Sequence, residues 1–200
     1  MSELSVLGAL QHAVTALGLL GRDFALVGGI AVTVRSEVRF TRDVDLAVSV
    51  RDDSDAEQLI YALREHAYAV TATVEHEGQK RLATARLCGP SGVVCDLLFA
   101  SSGIEHEVVA RATPIELTQG LTVPVARVED LLATKVLAAA KRRPQDEIDF
   151  ARLVEFNPNY DEAAVRANLS LIMARGYSRG EDLDRKLEAC LSRARDMLGE

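Results

Sequence analysis

The stretch LVGGIAVTVRSEVRFTRDVDLAVSV, residues 26–50, constrains the fold more than any other part of the chain. Phe24–Val27 reads as a short apolar strand closed by Gly28-Gly29, a brief helix follows from Ile30 to about residue 37, and residues 43–50 alternate as a second strand. On that strand Val44, Leu46, Val48 and Val50 share one face, while Asp43, Asp45, Ala47 and Ser49 share the other. Glycines at a strand-to-helix turn let backbone N–H groups approach a phosphate, and a helix N-terminus favours negative charge. Taken alone, Gly-Gly reads first as an ordinary tight turn. The paired carboxylates shift that balance. They repel each other on a strand, where Asp is disfavoured, and a solvated face tolerates them. A divalent cation such as magnesium or manganese turns the repulsion into a ligand set.

The rest of the chain supplies a mixed first part and a helical second part. An amphipathic helix over about residues 3–19 carries Leu4, Leu7, Leu10, Val14 and Leu17 at helical spacing. A helix over 53–66 and strand-like runs over 68–75, 81–88 and 93–99 follow, separated by Glu77-Gly78 and Gly89-Pro90-Ser91-Gly92. A short pair, 113–117 and 121–125, turns at Gln119-Gly120. Helical patterns then cover about 127–142, 145–156, 161–175 and 180–198. The expected fold class is α/β (α+β), a mixed-sheet lobe over residues 1–126 followed by a helical lobe over 127–200.

Among 200 residues, 48% are hydrophobic and 26% charged, which excludes a disordered chain and permits a substantial core. The formal charge of −7 argues against a protein that coats duplex DNA, though a local basic patch can still hold a nucleic acid. No apolar run is long enough for a bilayer span, and MSELSVLGALQHAV lacks a basic leader region, so no membrane association is expected. Cys88, Cys95 and Cys190 have neither disulfide nor zinc spacing and read as small core residues in a reducing, cytoplasmic setting.

Three further features bear on chemistry. Asp96 lies within Val93-Val94-Cys95-Asp96-Leu97-Leu98-Phe99, a run apolar on both faces, so its carboxylate needs a cation or a hydrogen-bonded partner such as an arginine. Lys135 falls in the middle of the face defined by Val128, Leu131, Leu132, Val136 and Ala139, so it must meet an anion or snorkel outward. In RRPQDEID, Pro144 suits a helix start, and Asp146 and Asp149 share one face at i, i+3; dipole complementation alone explains them too. Residues 141–143 and Arg35, Arg39 and Arg42 add positive charge that either balances helix ends or meets phosphates. The four histidines lack metal-ligand spacing, and no GxSxG, HExxH, CxxC or Walker A lysine motif is present. The absence of Trp and the few aromatics leave no expected base-stacking platform.

Gly28-Gly29, thirteen residues, Asp43-Val44-Asp45 and then Asp96 in a hydrophobic strand resemble the DNA-polymerase-β-type nucleotidyltransferases. More narrowly, Val27-Gly28-Gly29 with Arg39-Phe40-Thr41-Arg42-Asp43-Val44-Asp45-Leu46, Lys135 and the RRPQDEIDFARL helix resemble the AbiEii/MenT-type nucleotidyltransferases, toxins of toxin–antitoxin systems. The likeness covers about residues 20–156. Gly29 stands where many superfamily members have Ser, which removes a hydroxyl and leaves the backbone donors.

The resemblance implies a catalytic lobe, a helical lobe and a nucleotide between them. It implies that Asp43 and Asp45 bind metal and that Asp96 joins them, with Mg2+ or Mn2+ as cofactor and an NTP as substrate. Gly28, Gly29, Arg39, Thr41, Lys135 and Asp149 would contact the nucleotide. Asp43, Asp45, Asp96, Lys135 and Asp146 would form the catalytic set, with Asp149 as the alternative late acid. The acceptor would be the 3′ end of tRNA, and an antitoxin partner can act on a hydroxyl at the position of Thr41. Two alternatives remain on sequence grounds, transfer to a small molecule such as an aminoglycoside and a non-catalytic binding module on the same fold.

Overall fold

The computed structural model describes residues 3–38, 40–140 and 144–199. Helix α1 (Glu3–Leu19) buries Val6, Leu10, Ala13, Ala16 and Leu17. That face is rotated slightly from the leucine stripe expected from sequence, because Leu7 and Val14 lie at its margin and the small alanines come closest to the core. After β1 (Phe24–Val27), α2 (Gly28–Arg35) starts at the double glycine, and β2 (Val44–Val48) follows. Helix α3 (Asp53–Leu63) is capped by Asp52, whose carboxylate accepts from the Asp55 N–H at 2.9 Å. The antiparallel strands β3 (Ala69–His76) and β4 (Arg81–Cys88) precede β5 (Val94–Leu98).

Helix α4 (Glu105–Arg111) is an element that the sequence pattern leaves unassigned; its seven residues are too few for a helical period to stand out. The hairpin β6 (Thr113–Thr118) and β7 (Leu121–Val125) completes the sheet. Helices α5 (Val128–Ala138), α6 (Pro144–Phe156), α7 (Glu162–Ala174) and α8 (Leu183–Leu198) end the chain. Helix α5 stops at Ala138, short of the 142 expected from sequence. Asp161 and Asp182 cap α7 and α8 through the N–H groups of Ala164 and Arg185.

The seven strands form one mixed sheet in the order β3-β4-β5-β2-β1-β7-β6. Only β2 with β5 and β1 with β7 run parallel. The central strands β1 and β2 are covered on both faces, which explains why Ala47 is as buried as Val44, Leu46 and Val48. The C-terminal helices pack on one another, and α5 and α6 also rest on α2, the helix that leaves the glycine turn. Arg35 ties that region together by donating to the carbonyls of Ala126 and Val125 and to Thr113 Oγ1 at 3.0, 3.1 and 2.6 Å. Of the two roles the sequence left open for Arg35, the structure uses its Nε and Nη2 inside the fold rather than toward incoming phosphates. All three cysteines are free, and no helix among the described residues is long and apolar enough to cross a membrane.

Candidate active site

Register across the middle of the sheet brings the chemistry together. Arg86 on β4 pairs with Asp96 on β5, Asp96 pairs with Asp45 on β2, and Asp45 pairs with Val27 at the end of β1. Directly paired residues of adjacent strands point to the same face, so a guanidinium and two carboxylates form a row that ends at the Gly28-Gly29 turn. Two residues that lie 51 positions apart become neighbours because β2 and β5 run parallel in that one register.

Gly28 has φ +61°, and a Cβ built there would lie 2.0 Å from Asp45 Oδ2. Both the left-handed backbone and the close approach exclude any side chain. Gly28→Ala is expected to cost about 2 kcal/mol or more from the backbone conformation alone, and to push Asp45 out of line. A urea midpoint at the wild-type value in that variant would contradict the packing described here.

The same closeness governs Asp45. Burial, reinforced by the negative charges of Asp96 and Asp43, pushes its carboxyl up to about 6, against the opposing pull of the Gly29 N–H and Lys135. Such mutual repulsion is the chemistry a divalent cation relieves, so Asp45 and the half-buried Asp43 fit a metal. Asp96 is different. Arg86 Nε donates to its Oδ1 at 2.9 Å and Nη2 to its Oδ2 at 2.7 Å, a two-pronged ion pair that engages both oxygens. Among the described residues no three His, Cys, Asp or Glu side chains stand close enough to hold a metal ion as a group. The Arg86 fork takes one lone pair of each Asp96 oxygen and neutralises its charge, which weakens Asp96 as a metal ligand beside Asp43 and Asp45.

Lys135 on α5 turns inward as its helical phase requires. Its Nζ reaches Asp146 Oδ1 at 2.8 Å and Asp149 Oδ2 at 2.7 Å, and Gln145 Nε2 donates to Asp149 Oδ1 at 2.8 Å. Both late acids therefore meet the lysine. They differ in exposure, since Asp149 is 0% exposed behind the pair while Asp146 lines the cleft.

That cleft encloses about 300 Å3 between the sheet and the C-terminal helices. Gly28, Gly29 and Asp45 line one side, and Lys135, Asp146 and Arg179 the other. Its far wall is the loop after β5, held by the buried Glu105, whose carboxylate accepts from the N–H groups of Ser101, Ser102 and Gly103 and from Ser102 Oγ. A larger hollow of about 720 Å3 lies between α3 and the β3–β4 hairpin and contains none of the candidate residues. Thr41 is half-buried, and the Arg42 guanidinium lies 5.3 Å from the centre of the Phe40 ring. Arg39 and the cluster 141–143 lie outside the described residues.

Sequence reasoning missed Arg86, Glu105 and Arg179. A strand-order assignment would have paired Arg86 with Asp96, but that pairing is non-local and carries no short-range signal. Glu105 follows a Ser-Ser-Gly turn at the start of a helix, an N-terminal pattern visible in principle.

The sequence profile described as "Nucleotidyl transferase AbiEii toxin, Type IV TA system" matches residues 10–196. No curated protein matches the chain. Among solved structures, a similar one is an antigenic nucleotidyltransferase-like protein from Paracoccidioides brasiliensis, with 20% identity, 94% of each chain covered and TM-score 0.50. The antibiotic-resistance factor ANT(2'')-Ia gives 14% identity over 99% of this chain and 95% of that one, with TM-score 0.49. A protein from Helicobacter pylori, JHP933, gives 12% identity, coverage of 98% and 92%, and TM-score 0.45. With the family profile spanning nearly the whole chain, this protein belongs to the AbiEii nucleotidyltransferase toxin family and is a nucleotidyltransferase.

Proposed function

We propose that the protein moves a nucleoside monophosphate from an NTP to the 3′ end of tRNA, acting as the toxin of a toxin–antitoxin pair. The observation that carries this reading is the register of Asp45 with Asp96 beside the Gly28 turn, with Asp45 and the turn lining a cleft that the C-terminal helices close. In this reading the helices from residue 127 onward form a second lobe and the nucleotide lies between the two. The acceptor hydroxyl attacks the α-phosphorus and pyrophosphate departs in line. Asp43 and Asp45 would hold a divalent cation, which supplies charge neutralisation for the triphosphate. The Gly28 and Gly29 amides and Thr41 would hold phosphate oxygens. Lys135 would meet the departing pyrophosphate, with Asp146 and Asp149 fixing its position until then. Asp96 would accept the proton of the acceptor hydroxyl on a lone pair that the Arg86 fork leaves unused. Arg39, Arg86 and residues 141–143 would attract the RNA backbone.

A second reading has a specific observation in its favour. Asp45, Glu105 and Asp146 give the cleft walls acidic groups that suit a cationic small molecule as acceptor. Incubation with each labelled NTP and total tRNA, with and without magnesium, separates the two. Magnesium-dependent label at the tRNA 3′ end is expected, and lost in Asp43→Ala with the circular-dichroism spectrum unchanged. Label that appears only on an added aminoglycoside would replace the first reading with the second. An antitoxin encoded beside this chain is expected to abolish tRNA labelling when mixed with it.

A further inference from the structure

We propose that Arg179, on the turn between α7 and α8, binds the phosphate tail of the incoming nucleotide, while Lys135 meets the pyrophosphate as it departs. This rests on the nucleotide-transfer reading of the same cleft. A nucleoside triphosphate brings several negative charges into a space already lined by Asp45 and Asp146. Among the described residues, two cationic side chains line that space, Lys135 and Arg179. Lys135 is already paired with Asp146 and Asp149, both within 2.8 Å. The Arg179 side chain has no ion pair or hydrogen bond among the described residues, so its guanidinium is available without breaking a contact. Its planar fork of donors suits two phosphate oxygens at once.

The backbone at this residue reinforces the inference. The Glu181 N–H donates to the Ser178 carbonyl at 3.0 Å, and Arg179 and Gly180 between them have φ +57° and +76°. Two successive left-handed residues make a type I′ turn, whose first central position favours Asn, Asp or Gly. An arginine there is strained, and strain at a cleft-lining residue points to a use for the side chain.

The segment leading into the turn is also held in place. Arg175 donates to the Gly103 carbonyl at 2.5 Å and pairs with Glu107 at 2.6 Å. The Tyr177 ring packs where a Gly103 Cβ would stand, 2.4 Å from its Cδ2, and Gln79 Nε2 donates to the Gly176 carbonyl. These contacts join the segment before the turn to the Ser101–Ser102–Gly103 loop, to α4 and to the turn between β3 and β4. Arg179 is thus carried on an anchored segment rather than on a free loop, which limits the ordering cost of using it.

The test compares wild type with Arg179→Asn, a residue the turn accepts more readily. Thermal stability is expected to stay equal or rise, whereas affinity for ATP, GTP, CTP or UTP, whichever binds best, falls about ten- to hundredfold. Calorimetry with inorganic tripolyphosphate and with the matching monophosphate is expected to show the tripolyphosphate affinity falling and the monophosphate affinity nearly unchanged. Arg179→Lys should recover part of the loss. In steady state the loss should appear in KM more than in kcat. Wild-type affinity for nucleotide and tripolyphosphate in Arg179→Asn would overturn the inference and leave nucleotide transfer standing. Absence of nucleotide binding by the wild type would instead overturn the transfer reading, and the role of Arg179 with it.

Discussion

Replacing Asp45 with Asn is expected to stabilise the metal-free protein at neutral pH while abolishing nucleotide transfer. The carboxylate is held near burial, near Asp96 and near Asp43, and its carboxyl is raised from 3.8 to about 6. An acid raised in the fold keeps its proton more tightly there than in the unfolded chain. Between about pH 4 and pH 6 the native state therefore binds more protons, and stability falls as pH rises through that window. A rise of this size corresponds to about 3 kcal/mol once the group is fully ionised, and about 1–3 kcal/mol is a fair range after relaxation. Asn keeps an oxygen that can accept from the Gly29 N–H and removes the charge.

In urea titrations with a chelator present, the variant should exceed wild type by that amount at pH 7.5, and the gap should close near pH 4. Adding magnesium should stabilise wild type and leave Asp45→Asn unmoved, because a ligand that binds only the native state raises its stability by mass action. A variant less stable than wild type at both pH values would mean that Asp45 is a structural hydrogen-bonding group and not a repelled carboxylate. Equal magnesium stabilisation of the two proteins would remove Asp45 from any metal site.

What could be read from the chain divides along a physical line. Asp43 and Asp45 were legible as neighbouring carboxylates, but strand period governs only Asp45, since β2 begins at Val44 and Asp43 stands in the bend before it. The inward aim of Lys135 was legible because helical phase is equally local, and the structure meets it with Asp146 and Asp149 from the following helix. Asp96 was legible as a carboxylate in need of a partner, since its strand is apolar on both faces. Which partner it takes was not legible. That answer depends on β4 lying beside β5 in one register, and the pairing energy of two strands is spread over many residues.

Arg179 belongs to the same category, because its position in the cleft follows from how α7 and α8 pack and not from its own neighbours. Arg35 shows the opposite hazard. It sits close in sequence to the glycine turn, yet eight helical residues carry it about 10 Å along the axis, where it fastens β7 and β6 to the helices. Sequence proximity to a motif is weak evidence of membership in a site.

The largest stability loss is expected from Lys135→Met. Lys135 is 12% exposed and its two partners are 14% and 0% exposed, so the pair is buried on all sides but the cleft. Methionine retains the length of the aliphatic stem and removes the charge. What it leaves behind is Asp149 buried without the lysine charge, and removing one partner of a buried ion pair typically costs about 3–5 kcal/mol. For a protein whose total stability falls in the usual range of about 5–15 kcal/mol, that is a large fraction.

The loss belongs to the carboxylates left without a counter-charge and not to the missing attraction, and a double variant separates the two. Lys135→Met combined with Asp149→Asn should regain most of the stability, since a neutral amide can still accept from Gln145 Nε2 and needs no counter-charge. Transfer activity should remain absent in the double variant, because no ammonium is left to meet pyrophosphate. Denaturant midpoints for the two single variants and the double one, read beside label transfer to tRNA, make this a complete cycle. If the double variant regains transfer together with stability, Lys135 serves the fold alone and the charge that meets the leaving group comes from elsewhere in the cleft.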